Sequence, residues 1–183
     1  MSHLEDHEIL SIIKNITESE RGFRLLIGKY KERLYYHIRR MVLSHDDADD
    51  ILQNTFIKVF RGINGFEGNS QLFTWLYRIA TNETLTFIEQ KKRKKTETID
   101  NPDLGLVGSL KADPFFEGGQ AEIKLAKALL ELPERQKLVF QMRYYDELSY
   151  KEISEILGTS EGALKASYHH AVAKVEQFFK VND

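Results

Sequence analysis

The chain contains no cysteine. A disulfide framework and a thiolate metal site are therefore excluded, and the composition fits a reducing compartment. Proline is scarce, at 3 in 183 residues, so few positions interrupt the long amphipathic runs. No apolar run approaches the ~18 residues that a membrane-spanning helix needs. Met1 to Glu8 is polar and acidic, unlike a secretion signal. These absences point to a cytoplasmic protein with no direct membrane insertion. No phosphate-cradling glycine loop and no nucleophile–base set stands at a telling spacing, so no catalytic residue is assigned. His3 and His7 lie four residues apart, and His169 and His170 are adjacent. No third ligand accompanies either pair, so no metal and no cofactor is expected.

Hydrophobic residues make up 42% and charged residues 30% of the chain, the balance of a soluble globular protein. The net charge of -2 says little by itself; its distribution says more. Residues 1–20 carry net -4, residues 21–95 net +7, residues 96–121 net -4, and residues 122–183 net -1. An acidic segment thus separates one basic block from the C-terminal third of the chain, and a basic block points to a polyanion partner.

The stretch from Leu148 to Ala173 carries the sharpest local signal. A short helix over Tyr150–Leu157, with Ile153, Ile156 and Leu157 inward, is broken by Gly158. Thr159 or Ser160 caps a second helix, with Glu161 in its first turn. Two helices joined by so tight a turn form a helix-turn-helix. On the second, Leu164, Tyr168, Ala171 and Val175 recur at inward spacing. Gly162, Lys165, Ala166, His169 and His170 share the other side. That face is small where a backbone meets a groove and donor-bearing beyond it, as base readout requires. A solvated helix of an all-helical bundle is the alternative.

The rest reads as helix. Residues 5–17 form a short amphipathic helix, and Glu18-Ser19-Glu20 opens a longer one containing Leu26, Tyr30, Leu34 and Ile38. Ser44 caps a helix over Asp47–Phe60 with Ala48, Ile51, Leu52, Phe56 and Val59 inward. Asp50, Gln53 and Asn54 share its other side, with Lys58 and Arg61 near its end. Acids first and bases last suit the macrodipole; the same polar patch also suits protein docking. Arg61 to Gln71 is a loop with three Gly and two Asn, able to fold closely around a ligand. Phe66 within it is a plug into the core or a surface for base stacking. A helix from near Ser70 to about Gln90 comes next, with Leu72, Leu76, Ile79, Ala80 and Phe87 buried and Thr74, Arg78 and Asn82 on another face. It ends in Lys91-Lys92-Arg93-Lys94-Lys95, a solvated tail or a phosphate contact. Thr96 to Gln120 is an acidic linker with a partial turn at Leu104–Leu110. Ala121–Leu132 is amphipathic, and Pro133 restarts a helix from an allowed first-turn position. Leu138, Val139, Phe140, Met142, Tyr144 and Tyr145 supply its core. The fold class is therefore all-α: two small helical domains joined by a flexible linker, the C-terminal one containing the helix-turn-helix.

Three blocks in this order resemble the extracytoplasmic-function (ECF) group of bacterial RNA polymerase sigma factors. They are Asp47 to Phe56; Phe73-Thr74-Trp75-Leu76-Tyr77-Arg78-Ile79-Ala80-Thr81-Asn82; and Leu132-Pro133-Glu134-Arg135 with Leu148–Ile153 and Glu161–Lys165. The resemblance implies a dissociable, non-catalytic polymerase subunit. Residues 1–95 would form a region-2-like domain, 96–121 the acidic linker, and 122–183 a region-4-like domain. It implies that Asp47, Asp50, Gln53 and Asn54 dock on core RNA polymerase, although Asn54 departs from the family's usual Glu. It implies that Lys58, Arg61, Phe66, Asn69, Trp75, Arg78 and Asn82 open and read the −10 element of promoter DNA. It implies that Ser160, Glu161, Gly162, Lys165, Ala166, His169 and His170 read the −35 element. Ser167, His170 and Val172 stand where the family often carries Arg, so the resemblance implies weak −35 binding by the C-terminal unit. An anti-sigma factor is the implied regulator, and no homo-oligomer is required. A conventional helix-turn-helix regulator remains the main alternative, and it leaves the Gly/Asn loop and the Trp75–Asn82 helix without a role.

Overall fold

The computed structural model describes residues 4–95 and 119–182. Its helices are α1 (Asp6–Lys14), α2 (Ser19–Val42), α3 (His45–Gly62), α4 (Leu72–Lys95), α5 (Gln120–Leu130), α6 (Glu134–Tyr144), α7 (Tyr150–Leu157) and α8 (Glu161–Val181). A 3-10 turn, Ile63–Gly65, succeeds α3. No strand occurs among the described residues, as expected of an all-α chain.

The first module is built on α2. Its buried stripe, Leu26, Tyr30, Leu34, Ile38 and Met41, recurs at helical spacing. Helix α1 lies against it through Ile9 and Ile13, and the approach is close. A Cβ on Gly22 would stand 2.7 Å from both Cγ1 and the backbone N of Ile13, so only glycine fits. Leu43 ends α2 in the left-handed region at φ 60°, its N–H donating to the Arg39 carbonyl at 2.9 Å. Ser44 caps α3 by accepting from the Asp47 N–H at 3.3 Å. Helix α3 buries Ala48, Ile51, Leu52, Phe56 and Val59, and α4 buries Leu72, Phe73, Leu76, Tyr77 and Ala80.

Three local expectations are corrected. The loop expected over Arg61–Gln71 is shorter. Helix α3 runs to Gly62 and the 3-10 turn to Gly65, because Ile63 extends the buried period of Val59 and is itself buried. Helix α4 starts at Leu72 rather than near Ser70 and carries its basic run in helical form to Lys95. Pro133 is the N-cap of α6, extended at φ -53°, ψ 140°, rather than a residue of its first turn.

In the second module, α6 buries Leu138, Val139, Phe140 and Met142 as expected. Tyr144 and Tyr145 do not join that core; they are 54% and 36% exposed. The helix ends there, and the rings pack on one another at 4.9 Å. A smaller cluster, Leu129, Leu132, Phe140 and Ala171, ties α5 and α6 to α8. The expected partial turn at Leu104–Leu110 and most of the expected linker lie outside the described residues.

The two modules share one core. Leu138, Val139, Met142, Leu148, Ile153, Ile156 and Leu164 join the apolar cluster that holds Leu34, Ile38, Phe73, Leu76 and Tyr77. The seam is made by α7 on α4 and by α6 on α2.

Candidate nucleic-acid interface

The Gly/Asn segment and α4 bring the first group of candidates together. Phe66 is partly buried, and its ring lies 5.2 Å from the Trp75 ring, tilted by 48°. A Cβ on Gly62 would stand 3.3 Å from Cζ2 of Trp75, so the end of α3 is pressed against the indole. Phe66 and Trp75 thus pack on one another, each partly buried against the core, and the chain that follows Phe66, from Glu67 to Asn69, is exposed. Gly68, at φ +77°, turns that chain over in a conformation that side chains disfavour. Asn69 is exposed and donates to Glu67 Oε2 at 3.3 Å.

Asn82 and Arg78 stand one turn apart on α4, both exposed. Thr74, expected on the same line, is fully buried. Lys58 pairs with Glu83 of α4, and Arg61 is exposed at the end of α3. The arrangement has the parts that single-strand binding uses: a ring to stack on, an amide to read a base edge, and cations for the backbone.

The acidic side of α3 is a separate surface. Asp50, Gln53 and Asn54 are exposed, and Gln53 donates to Asp49 Oδ2 at 3.1 Å. Asp47 is turned toward α4, where it pairs with Lys91. So three of the four docking candidates form one open patch, and the fourth pins the two helices.

The helix-turn-helix forms as its residues dictate. Ser149 and Glu152 make a reciprocal capping box on α7, with the Ser149 N–H donating to Glu152 Oε2 at 2.7 Å. Gly158 ends that helix in the left-handed region at φ 64°. Ser160, not Thr159, caps α8, accepting from the Ala163 N–H at 3.3 Å. Leu164 and Ala171 are buried, whereas Glu161, Gly162, Lys165, Ala166, His169 and His170 are all exposed. Lys165 Nζ lies 5.7 Å from the Tyr150 ring centroid. No cluster of three possible metal ligands occurs among the described residues.

Sequence reasoning missed a polar network at the seam. Asp146, in the turn after α6, is 1% exposed at its side chain, as is His37 of α2. His37 Nδ1 donates to Asp146 Oδ2 at 2.7 Å, since a carboxylate only accepts. The other ring nitrogen lies 2.9 Å from Thr81 Oγ1. Arg40 donates to Asp146 Oδ1, and Arg33 to the Asp146 carbonyl at 3.3 Å. Gln141 returns a bond to the Arg40 carbonyl at 2.9 Å. One signal was available: His37 stands three residues after Leu34 and four before Met41, on the buried stripe of α2.

The comparisons with known proteins fit this geometry. Residues 26–94 match the family "Sigma-70 region 2", and residues 122–175 match "Sigma-70, region 4". The ECF RNA polymerase sigma factor SigW of Bacillus subtilis is 32% identical over 87% of this chain and 92% of its own. The ECF RNA polymerase sigma-E factor of Escherichia coli K12 is 28% identical over 83% of each. Two solved structures share the fold. CnrH in complex with the cytosolic domain of CnrY has a TM-score of 0.69 at 20% identity, covering 97% of this chain and 99% of that one. The sigma factor RpoE in complex with the anti-sigma factor NepR, from Bartonella quintana, has a TM-score of 0.66 at 22% identity, covering 88% and 98%. Two family modules in order along one chain, with a relative similar over nearly its full length, decide the question: the chain belongs to the ECF RNA polymerase sigma factors.

Proposed function

We infer that this protein is a dissociable subunit of bacterial RNA polymerase, acting in the cytoplasm, that selects promoters and starts strand opening without itself making or breaking a covalent bond. The observation that carries the reading is the contact of the Phe66 ring with Trp75, beside an exposed Gly/Asn segment and on the helix that exposes Arg78 and Asn82. An unpaired base fits such a site, because stacking on an aromatic ring contributes about 1–3 kcal/mol and tolerates any base.

The roles divide by module. Residues 1–95 form the −10 domain. In it Asp50, Gln53 and Asn54 dock on the core enzyme, with Asp47 fixing their helix. Phe66, Asn69, Trp75 and Asn82 hold the displaced strand, and Lys58, Arg61 and Arg78 hold its phosphates. Residues 96–121 form the strap. Residues 122–183 form the −35 domain, in which the start of α8 enters the major groove and Lys165, Ala166, His169 and His170 face base edges. An anti-sigma factor covering the docking faces is the expected regulator, a role supported by the likeness to RpoE held by NepR.

The test is in vitro transcription from a genomic promoter library with core polymerase, with and without the purified chain. Defined start sites that depend on the chain, together with co-elution with core enzyme, are the expected result. Failure to co-elute and no change in start sites would overturn the reading.

A further inference from the structure

Rings and cations of α6, α7 and α8 form one continuous series of contacts inside the second module. Phe140 and Tyr144 stand four residues apart on α6, and their rings stack at 5.3 Å with 23° between the planes. Phe140 stacks in turn on Tyr168 of α8 at 5.7 Å and 27°. The Arg143 guanidinium lies against two rings, 5.9 Å from the centroid of Tyr168 and 4.6 Å from that of Tyr150. Lys165 Nζ lies over the same Tyr150 ring at 5.7 Å. The series therefore starts on α6 and ends on the exposed face of α8 that carries Gly162, Lys165, Ala166, His169 and His170.

The inner members of the series are fixed. Phe140 is buried, and Arg143 donates to the Leu148 carbonyl. Tyr150 opens α7 directly after the capping box, where Ser149 Oγ accepts from the Glu152 N–H at 3.2 Å, so its ring has one place. Lys165 is the outer member and is exposed. A lysine loose in water must give up rotamer freedom when it binds, at a cost of about two- to tenfold in affinity. A ring beneath the four-carbon stem removes part of that cost in advance. An ammonium held by a ring face still has donors to offer.

We propose that Tyr150 is a positioning residue for promoter recognition: its ring, braced by Arg143, holds Lys165 within reach of one base edge of the −35 element. The proposal rests on the −35 reading above. Among the candidates on that face Lys165 is the one lysine or arginine, so its placement decides whether the face reads a base or only attracts a backbone. A freely swinging lysine still attracts any phosphate nearby, because that attraction has little directional demand. The O6 and N7 edge of guanine favours one placement. Tyr150 therefore acts on base discrimination more than on salt-dependent affinity.

The full chain, assembled with core polymerase, is tested on duplexes of a promoter recovered from the transcription library, with each −35 base pair replaced in turn. Lys165→Gln is expected to lose the preference at one position. Tyr150→Leu is expected to weaken the preference at that same position by about two- to tenfold, leaving the other positions and the salt slope as in the parent. Tyr150→Phe keeps the ring and is expected to keep the preference. The double variant Lys165→Gln with Tyr150→Leu is expected to be no worse than Lys165→Gln alone, because Tyr150 acts through Lys165. A second measurement needs no ring-deleting variant. In proton NMR of the free chain, the side-chain methylene signals of Lys165, identified by their loss in Lys165→Gln, are expected upfield of an exposed lysine's ordinary position, through the ring current of Tyr150. Ordinary positions for those signals would overturn the proposal. So would an equal loss at every base position in Tyr150→Leu, additive losses in the double variant, or tighter binding by Tyr150→Leu, which would make the ring a competitor for the lysine. A parent holoenzyme indifferent to every −35 replacement would instead sink the −35 reading itself.

Discussion

Two glycines of α2 respond in opposite directions to one substitution. Gly28 is exposed, and a Cβ built on it meets nothing within 4 Å. Alanine is better than glycine inside a helix by about 1 kcal/mol, so Gly28→Ala stabilises by that amount. At about 2–4 °C per kcal/mol for a chain of this size, its Tm rises by about 2–4 °C. Gly22 has the same helical backbone but a different neighbour. Its Cβ would meet Ile13 Cγ1 and Ile13 N at 2.7 Å and Ile12 Cγ2 at 3.0 Å. A side-chain carbon can rotate away; a backbone nitrogen moves only with α1. Overpacking of this kind costs about 1–3 kcal/mol, against the gain of about 1 from propensity. Full relief means undocking α1, which exposes Ile9 and Ile13 at about 1.5–3 kcal/mol each, so strain is the less costly course. Gly22→Ala is therefore expected to lose up to about 2 kcal/mol and up to about 8 °C. Thermal melting followed by circular dichroism measures both variants, and hydrogen exchange shows whether α1 alone loosens. A rise in Tm for Gly22→Ala equal to that of Gly28→Ala would refute the close approach of α1 to α2.

Three further outcomes rest on the same geometry. Asn82→Ala is expected to weaken promoter opening about tenfold or more while leaving co-elution with core polymerase intact, since the side chain is exposed on α4 away from the Asp50–Gln53–Asn54 patch; loss of core binding would remove the base-reading role from it. Burial holds the Tyr77 phenol well above its ordinary value, and the nearby Asp146 carboxylate acts in the same direction. The unfolded chain ionises its tyrosines from about pH 10, so this contribution is complete below that pH and is lost above it, at up to about 1.4 kcal/mol per pH unit. In Tyr77→Phe the fall of stability between about pH 9 and about pH 11, read by urea denaturation, is expected to be shallower; an identical slope would contradict the burial assigned to that hydroxyl. His170→Arg adds a permanent cation to the exposed face of α8, and promoter duplex binding by the holoenzyme is expected to tighten, with the salt slope steeper by about 0.9; an unchanged slope would mean that this position faces no phosphate.

Local rules made most of the fold legible. The left-handed Gly158 and the inward set of Ile153, Ile156, Leu164 and Ala171 are short-range features, and they mark the helix-turn-helix without help from the rest of the chain. The loop boundary was harder, because three glycines concealed that Ile63 still keeps the period of the buried face of α3. Tyr144 and Tyr145 were misplaced for the opposite reason: large rings look like core, yet they fall where α6 runs out and remain partly open, with only the Arg40 guanidinium of α2 over Tyr145. The shared core could not be read at all. Leu138, Val139 and Ile153 have the periodicity of a module folding on itself, and no spacing rule tells whether the surface they meet belongs to their own module or to the other.

The electrostatics fail to be legible in a more instructive way. Counting charge by blocks treats each side chain as facing water. In the folded chain Arg40, Lys58, Arg78, Lys91 and Lys92 each meet a protein oxygen, on Asp146, Glu83, the Glu155 carbonyl, Asp47 and Glu134. Two of those five partners lie in the basic block itself, and three lie in the module that the acidic strap was expected to hold apart. Asp146 and its histidine are 109 residues apart in sequence, a separation across which no motif can signal. The surplus of +7 therefore marks which surface is destined for a polyanion but overstates how open that surface is. The attraction toward DNA that the count suggests is reduced by three oxygens of the chain's own second half, the Asp146 carboxylate, the Glu155 carbonyl and the Glu134 carboxylate.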